Sequence, residues 1–164
     1  MKSAFVITSL LALSLSLSTS VRAQEMASEG LRAKISDELQ KLVAAANAGD
    51  PEAFFALTSN SPNLIIAGDG RITRGLTDVR ANLGELFVAH EQYKWKVDAA
   101  EVITVGSNVV IAVAPCQFTA VGNEAAVQLT GAITVVFARD WFWQDYKVVH
   151  SHRSTGKIGV AVVK

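Results

Sequence analysis

The chain has 164 residues, half of them hydrophobic and 18% charged, which is the makeup of a folded domain and not of a disordered or fibrous segment. Its 15 basic and 15 acidic residues balance, and the absence of a basic stripe or basic helix excludes the electrostatic footprint of a nucleic-acid or membrane-surface binder. Cys116 is the only cysteine, so no internal disulfide closes the fold, and it reads as a small apolar strand residue.

Lys2 is followed by an apolar run from Ala4 to Leu17, broken only by small hydroxyl residues, and then by Val21-Arg22-Ala23. A basic residue, a short apolar core and a small-x-small site predict a secretory signal peptide over residues 1–23. The domain is then residues 24–164, exported to a periplasm or the outside medium. The leading run is too short and too rich in serine to span a bilayer, and no later segment is apolar enough, so no membrane partner is expected after cleavage.

Leu31, Ile35, Leu39, Leu42, Val43 and Ala46 recur at three- and four-residue steps and predict a helix over about 28–47. Gly49 suits its left-handed cap. Asp50-Pro51-Glu52 opens a shorter second helix carrying Phe54, Phe55 and Leu57. Pro62 breaks helix, Asn63 to Ala67 is a short strand, and Asp69-Gly70 is a tight turn before Arg71 to Gly75. The glycines at 68, 70 and 75 lack the dinucleotide-binding pattern and read as turns. Thr77 or Asp78 caps a third helix, with Val79, Leu83, Leu86, Phe87 and His90 on one face.

From Tyr93 the pattern becomes strands, near 92–105, 108–121, 125–139 and 145–154, separated by Gly106-Ser107, Gly122-Asn123 and Asp140 to Asp145. Short separators mean hairpins and an antiparallel meander. Helices followed by a hairpin-linked sheet predict a single α+β domain, three N-terminal helices packed on one face of a curved, mainly antiparallel sheet.

This order, with Asn47-Ala48-Gly49-Asp50, Asp69-Gly70, Arg74-Gly75 and the closing run Tyr146-Lys147-Val148-Val149-His150-Ser151-His152-Arg153-Ser154, resembles the nuclear transport factor 2-like superfamily over about residues 28–156. Within it the chain looks like SnoaL-like domains, and its last strand is similar to the association (hub) domain of calcium/calmodulin-dependent kinase II. The resemblance implies a cone-shaped fold of the cystatin-like roll type, frequent dimerisation through the sheet, and functions from isomerases, cyclases and hydrolases to proteins without catalysis. It also implies an anion-accepting pocket at Arg153, although the hub's other pocket arginines fall near Ala114 and Ile133 here.

His150 and His152 are two apart on a strand and share a face, while Ser151 and Arg153 share the other. If the arginine face is the pocket, the planar fork of Arg153 suits a carboxylate. If the histidine face is the pocket, His150 and His152 are candidates for proton transfer, and their plain alternative is hydrogen bonding at a sheet edge or interface. Two ligands two apart need a third to hold a metal, so no metal and no cofactor are expected. No pair of carboxylates has a helpful spacing: Asp98 and Glu101 fall on opposite faces of one strand, and Asp69, Asp140 and Asp145 belong to turns.

Arg71, Arg74 and Arg80 surround the third helix near the expected cavity mouth, where at least two read as solvated surface. Trp95 and Tyr93 are candidate pocket walls beside Arg153 and Arg74, and the run Trp141-Phe142-Trp143 is a candidate subunit contact. The expectation is an exported small-molecule-binding domain that forms a homodimer or larger homo-oligomer. The alternatives are a SnoaL-like isomerase, cyclase or hydrolase using His150 or His152, and a structural assembly domain.

Overall fold

The computed structural model describes residues 25–68, 70–121, 125–139 and 145–162, with residues 25, 90, 125 and 157–162 as backbone. The expected signal peptide at 1–23, Asp69, Asp140 and the run Trp141-Phe142-Trp143 lie outside the described residues.

Helix α1 spans Glu29–Ala48. The Ser28 hydroxyl accepts from the Leu31 N–H, and Gly49 closes the helix at φ 67° with its N–H turned back on the last carbonyls. Ile35, Leu39, Leu42 and Ala45 form the buried stripe. Helix α2, Pro51–Ala56, begins as the sequence indicates, with the Asp50 carboxylate accepting from the Ala53 N–H at 2.9 Å. Helix α3, Leu76–Val88, starts earlier than expected. Its cap is Gly75, whose N–H donates to the Leu64 carbonyl at 2.8 Å, so Thr77 and Asp78 fall inside the first turn and cap nothing. His90 is also off this helix, opening the 3-10 turn His90–Gln92. Phe54, Phe55 and Phe87 meet edge to face with centroids 5.3–5.8 Å apart and lock α2 to α3 over Leu64 and Val79.

The strands are β1 (Glu25–Met26), β2 (Ile65–Gly68), β3 (Arg71–Arg74), β4 (Tyr93–Val97), β5 (Glu101–Val105), β6 (Val109–Val121), β7 (Ala125–Arg139) and β8 (Tyr146–Val162). They form one sheet in the order β1-β5-β6-β7-β8-β2-β3, with β4 on the second half of β6. The meander from β5 to β8 is antiparallel, while β2 joins β8 in parallel and makes the sheet mixed. The expected strand 92–105 is two strands, because the chain bulges at Asp98–Ala100 and the pairing with β6 shifts by one residue. β1, which the sequence pattern does not announce, pairs with β5.

All three helices cover one face of the sheet. Under α1 lie Val97, Val102, Val110, Ala112, Ala114, Ile133, Val135, Phe137 and Val148, all below a tenth exposed. Ile66 of β2 packs under α3 on the same face. The domain is thus an α+β roll with a concave, helix-covered face and a convex, open one. No described helix is long and apolar enough to cross a membrane.

Candidate functional site

Side chains alternate along a strand, so Tyr146 and Val148, both buried under the helices, point His150 and His152 inward if β8 is regular. It is not regular. Phe137 pairs with Val148 and Val136 with His150, which leaves Val149 as an extra residue. That bulge reverses the alternation. Ser151 and Arg153 then stand opposite Val135 and Ile133, on the concave face, and His150 and His152 stand opposite Val136 and Thr134, on the convex face. The structure therefore brings Arg153 into the cone and does not bring either imidazole there, so proton transfer by His150 or His152 inside the cavity has no geometric basis.

The Arg153 guanidinium lies over two rings, 4.7 Å from the Trp95 centroid and 5.2 Å from that of Phe118. Trp95 and Phe118 are cross-strand partners on β4 and β6 with centroids 4.9 Å apart, and Tyr93 stacks on Phe118 at 5.4 Å. Phe118 was not among the residues singled out in the sequence; its alternation with Cys116 and Ala114 on β6 was the available signal. Stacking occupies the faces of a guanidinium, whereas a carboxylate is held along its N–H edge, so the two interactions are compatible. The rings also hold an otherwise flexible side chain in one orientation.

Trp95 is positioned by α1. The Asn47 side-chain amide donates to the Trp95 carbonyl at 2.8 Å and accepts from the Trp95 N–H at 2.7 Å, replacing the strand neighbour that β4 lacks on that edge. Gln40 donates to the Val97 carbonyl one step along. The sequence marks Asn47 only as a helix-ending residue; its role spans 48 positions. Asn47→Ala removes both bonds and leaves two part-buried backbone groups unsatisfied. It is expected to cost about 2 kcal/mol and to loosen the Trp95 ring, read by denaturant unfolding and near-ultraviolet circular dichroism. An unchanged unfolding midpoint would show that the clamp holds nothing.

Cys116 faces the same interior, paired with Gly131 between the Arg153 row and the Phe118 row. Burial pushes its thiol up, and the positive charge of Arg153 pulls it part of the way back. It is a protonated, buried thiol and not an activated nucleophile.

Arg74 is elsewhere. It pairs with Ile65, which pairs with His150, so its register places it with the convex-face row and away from Arg153. Grooves of about 380 and 450 Å³ run along Arg74, one lined with Thr73, Asp78 and Asn82 and the other with Asn60, Pro62 and Thr77. Neither is lined by Arg153.

Among the described residues no acid occupies the concave cross-strand rows with Arg153. Asp98 is instead in an exposed pair with Lys96 at 3.3 Å, and Glu101 faces outward opposite Val113. Among the described residues no three histidines, cysteines or acids gather as a metal site.

No family model and no curated protein matches the sequence. Solved structures do match its architecture. A nuclear transport factor 2-like superfamily protein from Salmonella enterica serovar Typhimurium superposes with a TM-score of 0.68 at 20% identity, covering 80% of this chain and 94% of that one. The chain has the nuclear transport factor 2-like fold. A Caulobacter vibrioides protein with a cystatin-like fold gives 0.63 at 16% identity over 76% and 89% of the two chains. The association domain of C. elegans CaMKII gives 0.59 at 15% identity over 77% and 96%. Identities at this level carry the fold and not an activity.

Proposed function

We propose that this nuclear transport factor 2-like protein is an exported, self-associating pocket domain that binds a small polar or carboxylate-bearing molecule. The carrying observation is the inward Arg153, stacked on Trp95 and Phe118 in the concave face. Arginine supplies charge-assisted, in-plane hydrogen bonds, and Trp95 and Tyr93 supply apolar contact for the rest of the ligand. An arginine with aromatic walls suits binding better than proton transfer, which requires a titratable group near neutral pH at the reacting atom.

Export is supported by the basic, apolar and small-x-small pattern of residues 1–23. Self-association is supported by the convex face, where Met26, Ile103, Ile111 and Val136 stand in one cross-strand row with no described helix over them. The fold it shares with a kinase association domain is consistent with that reading.

The test is native mass spectrometry on protein purified gently from its own export compartment. The expected spectrum shows a dimer or larger assembly carrying small-molecule mass, which Arg153→Gln loses while the assembly persists. A wild-type protein that stays empty when offered carboxylates, or an Arg153→Gln variant that keeps the ligand, would overturn the assignment of Arg153.

A further inference from the structure

The Val149 bulge that turns Arg153 inward turns His150 outward, and the ladders give it a place there. His150 pairs with Val136 of β7 and with Ile65 of β2. Val136 pairs in turn with Ile111, Ile111 with Ile103 and Ile103 with Met26. Directly opposed residues point to the same face. His150 is therefore a member of the apolar row of the convex face, between Ile65 and Val136, and is already half-buried in the protomer. His152 stands in the next row, with Ala67, Thr134, Val113 and Glu101, and is exposed.

The described charges near His150 are all of one sign. Strand β7 brings Val136, with Thr134 and Ala138 on either side, and β2 brings Ile65 and Ala67, none of which titrates. On β8 itself the convex neighbours are Lys147 and His152, and beyond β2 the row ends at Arg74 of β3. Strands lie about 4.8 Å apart, so Glu101, three strands away in the adjoining row, is about 15 Å from His150. Among the described residues no carboxylate pairs with either histidine. A neutral imidazole packs beside aliphatic side chains at small cost. An imidazolium loses its water when a second sheet covers the row, and no described anion near it replaces that water.

We propose that His150 makes the sheet-to-sheet assembly pH-sensitive: neutral, it is buried with the apolar row, and protonated, it drives the copies apart. The switch rests on the reading of the convex face as the self-association surface and names the regulation of that surface. Its direction is set by which state holds the proton better. The free protomer leaves His150 partly in water, where a charge is solvated, whereas the assembly removes that water and leaves Arg74 and Lys147 as the charged neighbours. Protons therefore favour the free protomer, and an assembly that is complete above neutrality is lost as the pH falls through the imidazole range. A two-fold contact contains two such rows, so the effect counts twice.

Sedimentation velocity over two concentration series, one near pH 7.5 and one near pH 5.5, reads the switch. Wild type is expected to self-associate about tenfold or more weakly at the acid pH. His150→Gln removes that response, because glutamine is neutral at both pH values, and His152→Gln retains it. A wild-type assembly that is equally tight or tighter in acid overturns the switch and leaves self-association standing, as does a response that survives His150→Gln. A wild-type protein that is monomeric at the higher pH overturns self-association and the switch with it.

Discussion

Gly131→Ala is expected to lower the thermal midpoint by roughly 10 °C, a loss of about 3 kcal/mol. The reason is space and not backbone conformation. Gly131 lies in β7 opposite Thr155, next to the second bulge of β8, where the pairing shifts between Leu129 and Gly131. That bulge swings β8 so close that a Cβ on residue 131 would overlap the Ser154 carbonyl oxygen and stand 3.0 Å from the Ser154 carbonyl carbon and the Thr155 Cα. These are backbone atoms and cannot rotate aside, so the strands must part. The parting begins one residue from Arg153, so the same variant should weaken the binding proposed there and blur the near-ultraviolet signal of the aromatic cluster. Gly156→Ala is the comparison. It lies in the same bulge, but its added Cβ would meet only the Thr130 carbonyl oxygen, at 3.3 Å, and a shift of a few tenths of an ångström accommodates it. Equal melting of the two variants would show that β7 and β8 do not approach this closely at residue 131.

The elements with local causes were legible in the sequence. The α1 stripe, its Gly49 cap, the Asp50-Pro51 start of α2 and the hairpins of β6 to β8 each follow from residues a few positions apart. What was not legible depends on pairing between distant segments. The parallel docking of β2 on β8 joins residues more than eighty positions apart, and no periodicity encodes it. The start of α3 was misjudged because a glycine turn tied to Leu64 displaced the more usual side-chain caps. The face of β8 turned on one unpaired residue, Val149. Alternation alone correctly separated His150 and His152 from Ser151 and Arg153, but a bulge has no sequence signature here, and it decides which pair the cone receives.

Val113→Glu is expected to dissociate the proposed assembly into monomers, weakening self-association about 100-fold or more, with only a small loss of protomer stability from the like charge of Glu101 opposite. Val113 lies on the convex face and is 37% exposed in the protomer, so a glutamate there reaches water without disturbing the core. Glu101 and Thr134 flank it, and the adjoining row on that face is apolar: Ile111, Ile103, Val136 and, at the edge, Met26, 62% exposed. In a two-fold interface through this face each substitution counts twice. Two carboxylates, added to Glu101 opposite each one, would be desolvated in a row whose described residues include no lysine or arginine. A penalty of about 3 kcal/mol corresponds to the stated loss of affinity, and sedimentation velocity over a concentration series reads it directly. An assembly that survives Val113→Glu would place the subunit contact elsewhere and leave the apolar row unexplained. The convex and concave faces are separated by the sheet itself, so the variant should keep the carboxylate affinity of wild type. Arg153→Gln should show the reverse, an intact assembly that no longer holds the ligand, and the pair of results would separate assembly from binding in one fold.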